Sequence, residues 1–223
     1  MLEGATQAAG AVAIIDVFRA FSTAAVVLAN GASQITMVSS VDEALALRNS
    51  GVGDVCMGEV GGRMPANFDF GNSPFEVSGI DFHGKSIIQR TSAGTQGIVA
   101  STGAVSLYAA ALVTASATAR ALRSGASGQI TLVAMGNNAT ARADEDELCA
   151  LHLRNLLEGR TGNPQAVRDV ILAGADIARF GDPGRPDSHP GDLDIALDID
   201  RYDFAIRVRL EAGRPVARIE HAA

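Results

Sequence analysis

Short apolar runs alternate with helical patterns along most of this chain, and this alternation is the feature that most limits its fold. Six runs of four to six residues, each bounded by turn residues, have the length and composition of strands buried on both faces: 11–15, 35–38, 54–57, 85–89, 109–114 and 130–135. Helical patterns that end at glycine or Ser-Gly lie between most of them: 21–30, 41–49, 94–102 and 116–123. The alternation predicts an α/β fold with a mostly parallel sheet and right-handed crossovers.

The last third of the chain has a different pattern. A long helix is predicted over 144–158, and a second one over 165–180 begins just after Pro164. Beyond a loop rich in Pro, Gly and Asp, three alternating segments predict strands over 194–199, 203–210 and 215–219. We expect these strands to form a C-terminal β meander that is added to the sheet or closes over the functional site.

Composition excludes several classes of protein. With 223 residues, 47% of them hydrophobic and 19% charged, the chain can bury a large core, so disorder is excluded. The net charge of −7 and the lack of a basic patch with interleaved aromatics argue against nucleic-acid binding. Because no secretory leader or membrane-spanning stretch is visible, we expect a cytoplasmic protein. Two distant cysteines, Cys56 and Cys149, predict buried reduced thiols rather than a disulfide.

Two segments place acids, arginines or hydroxyls directly after a predicted strand. Asp16 closes the first strand and is followed by Arg19, which suits a site for a metal ion and a phosphate. An acid that caps a helix beside a surface arginine is the alternative. Glu59 closes the third strand, ahead of glycines and Arg63, and can reach a Mg²⁺ ion shared with Asp16. An ordinary loop is the alternative there.

Two further segments have the same form. The run Arg90-Thr91-Ser92-Ala93-Gly94-Thr95 begins a helix and has the amides, hydroxyls and arginine of an oxyanion cradle, although a capped helix start without ligand remains open. The acids at 144–147 begin the long helix, where they cannot all face one way. We expect one or two of them to point inward, and Asp144 and Glu147 to be solvated. Because ligands of open α/β sheets bind beyond the carboxyl ends of strands, all four segments should converge.

Other phosphate chemistries fail on spacing. Neither Cys56 and Arg63 nor Cys149 and Arg154 have the separation that a cysteine phosphatase needs. The pair Asp192 and Asp194 follows a polar loop rather than the apolar strand of an aspartyl-phosphate enzyme, and is interpreted as turn chemistry. The oxyanion segment lacks the Gly-Lys-Ser/Thr of a Walker A loop.

Taken together, five ordered motifs resemble the 2-phosphosulfolactate phosphatase family, the magnesium-dependent acid phosphatases of coenzyme M biosynthesis and their bacterial relatives. The resemblance runs from about residue 12 to 219. Its motifs are Ile15-Asp16-Val17-Phe18-Arg19-Ala20, Gly58-Glu59 with Phe68-Asp69-Phe70-Gly71-Asn72-Ser73-Pro74, the segment Arg90 to Thr95, Glu145-Asp146 with Leu148-Cys149-Ala150, and Asp200-Arg201-Tyr202-Asp203-Phe204-Ala205.

The resemblance implies two related, intertwined α/β/α lobes, over about 1–104 and 105–223, with the active site between them. It implies a catalytic set of Asp16, Arg19, Glu59 and Asp146, with Mg²⁺ bound by Asp16, Glu59 and Asp146 or Glu145. The phosphate would be received by Arg19, Thr91, Ser92, Gly94 and Thr95, and the rest of the substrate by Arg63, Asn72 and Arg90.

The expected reaction is Mg²⁺-dependent hydrolysis of 2-phospho-3-sulfolactate to 3-sulfolactate and phosphate, in which metal-activated water attacks phosphorus without a covalent intermediate. The substrate class is a small phosphorylated sulfonate or carboxylate, and neither nucleic acid nor membrane is an expected partner. Two alternatives stay open: another small phosphorylated hydroxy acid as substrate, or a phosphometabolite-binding protein without catalysis. The sequence does not decide whether the chain forms a homodimer.

Overall fold

Strands and helices alternate along the chain in the computed structural model, which describes residues 1–125 and 128–221. The strands are β1 (Gly10–Ile15), β2 (Gln34–Val38), β3 (Val55–Gly58), β4 (Ser86–Arg90), β5 (Ala104–Ala110), β6 (Ile130–Ala134), β7 (Ala205–Glu211) and β8 (Arg214–Glu220). The helices are α1 (Leu2–Gln7), α2 (Ala20–Ala29), α3 (Val41–Asn49), α4 (Pro74–Val77), α5 (Gly94–Ala100), α6 (Ala115–Gly125), α7 (Asp144–Leu157), α8 (Pro164–Leu172) and α9 (Gly191–Ala196). The predicted α/β class is confirmed.

All eight strands belong to one sheet, in the order β3-β4-β2-β8-β7-β5-β1-β6. On one side β4 pairs in parallel with β2 and β3, and on the other β1 pairs in parallel with β5 and β6. The C-terminal hairpin of β7 and β8 lies between these two parallel sets and is antiparallel to β2 and to β5. The predicted C-terminal β structure is therefore part of the sheet and joins its two halves.

The two parallel sets run in opposite directions, because three antiparallel pairings separate β2 from β5. The loops at the carboxyl ends of the two sets nevertheless meet, since Gly94 N after β4 donates to Asp16 Oδ2 after β1 at 2.7 Å. The four segments thus converge in a mixed sheet, and not at the single parallel edge that the sequence suggested.

Helices α2 and α5 each pack against strands of both parallel sets. One continuous cluster of buried side chains includes Ile14 of β1, Phe21 of α2, Ile35 of β2, Met57 of β3 and Ile98 of α5. Side chains from both sets therefore share one hydrophobic core, and the strand ends above it are held in fixed positions.

The fifth predicted strand is displaced. The sequence predicted a strand over 109–114, whereas β5 spans Ala104–Ala110 and the residues Leu112–Thr114 form a short 3₁₀ turn. These turn residues are fully buried, and burial makes a turn as apolar as a strand. Polar Ser106 lies inside the true strand, where it interrupts the apolar run that marks the other strands.

Two predictions in the last third are wrong. The helix over 165–180 ends at Leu172, because Gly174 follows and the chain continues as a 3₁₀ turn over Ala175–Arg179. The strand over 194–199 is helix α9 at its start, in which the buried residues Asp192, Ile195 and Ala196 have the spacing of a helix face. The meander is therefore a two-stranded hairpin, and α9 lies beside the site.

Three predictions concern the chain as a whole. Cys56 and Cys149 are free and buried, as predicted. Within the described ranges, we find no helix whose length and apolar character would let it cross a membrane. The division into lobes near residue 104 stays a prediction.

Candidate active site

A cavity of about 380 Å³ opens where the loops after β1, β3, β4 and β6 meet. Eight of the residues predicted from the sequence line it: Asp16, Arg19, Glu59, Arg63, Asn72, Ser92, Glu145 and Asp146. All four predicted segments are thus brought together.

Asp16 and Asp146 are buried carboxylates that main-chain N–H groups hold in place. Asp16 Oδ1 accepts from Ala20 N at 3.1 Å and its Oδ2 from Gly94 N at 2.7 Å. Asp146 Oδ1 accepts from Val17 N at 2.7 Å and its Oδ2 from Gly136 N at 2.8 Å. The four donors come from three different loops, so the two carboxylates fix the loops around them.

Three neighbouring acids of the cavity have raised pKa values. Burial raises the pKa of Asp16 to about 6, against the lowering effect of its bond with Ala20. Burial, and then the nearby Asp16 and Glu145 charges, raise the pKa of Asp146 well above its usual value. Burial also raises the pKa of Glu145 to about 7, although Arg179 opposes the rise. Carboxylates destabilised in this way favour a cation that would neutralise them.

The four acids at 144–147 divide as predicted. Glu145 and Asp146 are buried at the cavity, whereas Asp144 is exposed and Glu147 pairs with Arg142 outside it. The geometry of the first helical turn sends two neighbouring side chains inward and two outward.

Glu59 holds the glycine-rich loop that follows β3. Its carboxylate accepts from Gly62 N at 2.6 Å, from Ser92 Oγ at 3.0 Å and from Ser92 N. Gly58 is needed at the start of this loop, because a Cβ there would lie 1.8 Å from Arg90 O and its φ is +134°. Glu59 therefore fastens two strand ends together at the cavity wall.

Four of the predicted substrate residues do not line the cavity: Arg90, Thr91, Gly94 and Thr95. Thr91 and Thr95 are fully buried, and each accepts from the main-chain N–H of the other. Arg90 donates to Glu59 O at 2.7 Å and to Ser92 Oγ at 3.2 Å. Their contacts brace the loop that presents Ser92, and their predicted binding of substrate stays a prediction.

The arginines on the cavity wall include two that sequence reasoning missed. Arg179 and Arg185 line the cavity beside the predicted Arg19 and Arg63. Arg179 packs against the rings of both Phe18 and Phe180, with its guanidinium carbon 5.8 and 5.1 Å from their centroids. Arg179 lies just before the loop rich in Pro and Gly, and Arg185 lies within it. Binding residues are often found on long loops, so the arginines of this loop could have been recognised as candidates from the sequence.

The donor set fits Mg²⁺, although no complete ligand cage is present. In the described ranges, no three side chains of His, Cys, Asp or Glu lie close enough to hold one ion together. Mg²⁺ commonly uses one or two carboxylates, with water and substrate oxygens completing its shell. Asp16 and Asp146 meet that need, since each carboxylate oxygen retains a lone pair beyond its N–H bond. The predicted binding of one ion by Asp16, Glu59 and Asp146 or Glu145 stays a prediction.

A family model described as 2-phosphosulpholactate phosphatase matches residues 2–181 of the chain. The chain belongs to this family. It is therefore placed among phosphoric monoester hydrolases, and the resemblance noted in the sequence is confirmed.

Individual relatives agree with the family match. A probable 2-phosphosulfolactate phosphatase of Bacillus subtilis is 27% identical over 203 residues, which cover 91% of this chain and 88% of the relative. Proteins of the same name from Deinococcus radiodurans and Gloeobacter violaceus are 38% and 36% identical, over 59% and 71% of this chain and 55% and 67% of the relatives. Matches to several other relatives span less than two thirds of their length.

Proposed function

We propose that this chain hydrolyses a small phosphate monoester with Mg²⁺, and that its substrate is 2-phospho-3-sulfolactate, giving 3-sulfolactate and phosphate. The observation that carries the proposal is a cavity lined by four buried carboxylates, Asp16, Glu59, Glu145 and Asp146, and by four arginines. The names of the relatives support the choice of substrate. A place in coenzyme M biosynthesis and a cytoplasmic location are parts of the same proposal.

Asp16 and Asp146 would hold the Mg²⁺ ion, which when bound supplies positive charge to the phosphoryl oxygens and lowers the pKa of water. The chain itself supplies position and charge. Main-chain N–H groups keep both carboxylates fixed, so they need no rearrangement when substrate arrives. Arginine guanidinium groups face the cavity and suit the phosphate and the second anionic group of the substrate.

Ser92 and Asn72 add neutral polar groups to the wall. The Oδ1 atom of Asn72 is buried without a hydrogen-bond partner, so it is available to accept from a substrate hydroxyl or from water. Ser92 Oγ also lies at the wall, between Glu59 and Arg90. These groups orient the substrate relative to the carboxylates.

Release of inorganic phosphate tests the proposal. Purified chain is incubated with 2-phosphosulfolactate, 2-phospholactate, 2-phosphoglycerate and 3-phosphoglycerate, each with Mg²⁺ and with EDTA. We expect fastest release from 2-phosphosulfolactate, loss of release in EDTA, and loss of at least 100-fold in Asp16→Asn. Asp42→Asn, at an exposed acid of α3, is the matched control and should retain wild-type rates.

Each other outcome has a definite meaning. Faster release from a phosphoglycerate identifies the alternative substrate class. Binding of these compounds without release of phosphate from any of them supports a binding protein instead. Release that persists in EDTA and in Asp16→Asn rejects the metal assignment.

A further inference from the structure

The interpretation of Asp192 as turn chemistry is wrong, because this residue is a buried carboxylate of α9 that pairs with Arg19 beside the cavity. It lies in α9, its exposed fraction is 0%, and its side chain does not line the cavity. Ionised groups are rarely buried so completely unless they are paired and hydrogen-bonded. The hydrogen-bond partners of Asp192 therefore indicate its role.

Both oxygens of this carboxylate have partners. Oδ2 accepts from Arg19 Nη1 at 2.7 Å, in an ion pair whose arginine side chain is 7% exposed. Oδ1 accepts from Ser73 Oγ at 2.5 Å and from Phe75 N at 3.1 Å. The two donors on Oδ1 are the N-cap residue and a first-turn N–H of α4, so the start of this helix orients the carboxylate and its Oδ2.

The contact occupies only one corner of the Arg19 guanidinium. Nη1 donates to Asp192 and to the carbonyl of Asp187, whereas Nε and Nη2 have no hydrogen bond to a described residue and Arg19 lines the cavity. A guanidinium is planar, and Nη1 donates to two separate acceptors, so these two bonds restrict the plane of the whole group. Because Arg19 lines the cavity, its remaining N–H groups are available to a ligand there.

We propose that Asp192 is a positioning residue that orients Arg19 for the phosphoryl group, with Ser73 orienting Asp192 in turn. This inference rests on the proposed function of Arg19. The contact of Asp192 with Arg19 has different effects on the binding of phosphate and on the binding of the transition state. The negative charge of Asp192 weakens the attraction of Arg19 for phosphate, whereas the fixed fork matches a phosphoryl group in its transition-state geometry. Asp192 should matter more to the transition state than to bound phosphate.

Affinity measurements with orthovanadate, which resembles the transition state, and with inorganic phosphate separate the two. In calorimetric titrations of the full chain with Mg²⁺, we expect Asp192→Asn to weaken vanadate binding at least tenfold and to change phosphate affinity less than threefold. kcat should fall with vanadate affinity while KM stays within threefold. A partly misfolded variant would instead bind with reduced stoichiometry and unchanged affinity, which would overturn the proposal.

Further variants test whether the effect passes through Arg19. In an Arg19→Ala background, Asp192→Asn should change vanadate affinity less than twofold. A second tenfold loss there would show that Asp192 acts elsewhere and would overturn the proposal. Asp194→Asn is the matched control, because this acid lies in the same helix with an 82% exposed side chain. It should bind vanadate as wild type does.

Ser73→Ala keeps the charge of Asp192 and removes one of its donors. We expect about a threefold loss of vanadate affinity, and this variant decides the matter if Asp192→Asn does not fold; an unchanged affinity rejects the proposal. Wild type that binds vanadate but hydrolyses no phosphate ester would reject the proposed function and leave the role of Asp192 testable by affinity. Wild type that binds neither anion rejects both.

Discussion

Asp16 depends on a glycine as much as on its own burial. Gly94 N donates to Asp16 Oδ2 at 2.7 Å. The main chain at Gly94 lies so close to Asp16 that there is no space for a side chain at this position. A Cβ on Gly94 would lie 2.8 Å from Asp16 Oδ2 and 2.9 Å from both Ala20 Cβ and Phe21 Cζ. The glycine therefore sets the position of the carboxylate through the close approach of two loops.

Gly94→Ala should lower both activity and stability. The added methyl group must displace either Asp16 or the start of α2, and overpacking of this kind costs about 1–3 kcal/mol. We expect kcat/KM for the phosphate ester to fall at least tenfold and the melting temperature to drop. Gly79→Ala, where no atom lies within 4 Å of the new Cβ, is the control and should match wild type in both. Equal activity of the two variants would contradict this account of Asp16.

His152 of α7 makes folding stability depend on pH. Both ring nitrogens are buried without a hydrogen-bond partner, and burial lowers the pKa of this imidazole below its usual 6.5, although Asp200 opposes the shift. As the pH falls through about 6.5, the unfolded chain takes up a proton that the folded chain resists, so this histidine reduces stability at lower pH.

His152→Leu should remove that contribution. Between pH 7.5 and 5.5, its melting temperature should fall less, or rise more, than that of wild type, and the two proteins should differ most at pH 5.5. His83→Gln, at an exposed histidine, is expected to keep the wild-type pH dependence. If the melting temperature of His152→Leu changed with pH as that of wild type does, the buried imidazole would not be a source of the pH dependence.

Site residues could be predicted where a charged side chain directly follows a strand. Asp16 and Glu59 follow β1 and β3 directly, and Glu145 and Asp146 stood out because four consecutive acids cannot share one helix face. Asp192 and Arg185 could not be recognised in this way. They reach the site through the path of a long loop and α9, and local sequence does not encode where a loop of that length returns.

The hairpin of β7 and β8 is the element on which the sheet depends, since it bonds to both β2 and β5. Ile206 of β7 is 0% exposed and belongs to the shared core, whereas Leu210 of the same strand is 72% exposed. Ile206→Ala should reduce the free energy of unfolding by about 2–5 kcal/mol, and Leu210→Ala by less than about 0.5 kcal/mol.

Denaturant titration of both variants measures this difference. Neither residue lines the cavity, so kcat at a temperature well below melting should remain at the wild-type value. Similar costs for the two truncations would mean that the inner face of the hairpin does not anchor the core.

Elements were predictable where burial and periodicity agree. The first four strands and β6 differ from their predicted bounds by no more than one residue at each end, because each is an apolar run bounded by turns. The apolar run at 109–114 misled because the buried turn Leu112–Thr114 continues the apolar pattern beyond β5. Helix α9 is too short for its helical spacing to be distinguished from strand alternation.

The position of the hairpin in the sheet could not be predicted from the local sequence pattern. This position determines which parts of the chain pair with each other. Strand β1 lies well before residue 103, but its hydrogen-bonded neighbours β5 and β6 both lie after that residue. In the other direction, β2 is bonded to β8 near the C-terminus. Each half of the chain therefore leaves open strand edges and apolar surface that the other half covers.

Separate halves of the chain should not fold alone. A cut between Thr102 and Gly103 falls in an exposed turn and divides the chain close to the predicted lobe boundary. We expect fragments 1–102 and 103–223 to show no cooperative thermal transition by circular dichroism when prepared singly. Co-expressed, they should associate and regain both the transition and phosphatase activity, because every pairing of the sheet can then re-form.

The full chain with a protease site inserted at the same turn is the control for the cut itself. Its uncleaved and cleaved forms should unfold cooperatively and keep the same affinity for inorganic phosphate, since strand pairing holds the pieces together. A cooperative transition in fragment 1–102 alone would show instead that β1 can stay folded without β5 and β6. The lobes would then be independent units that meet at the cavity, and the site carboxylates Asp16 and Asp146 would belong to separately folded parts.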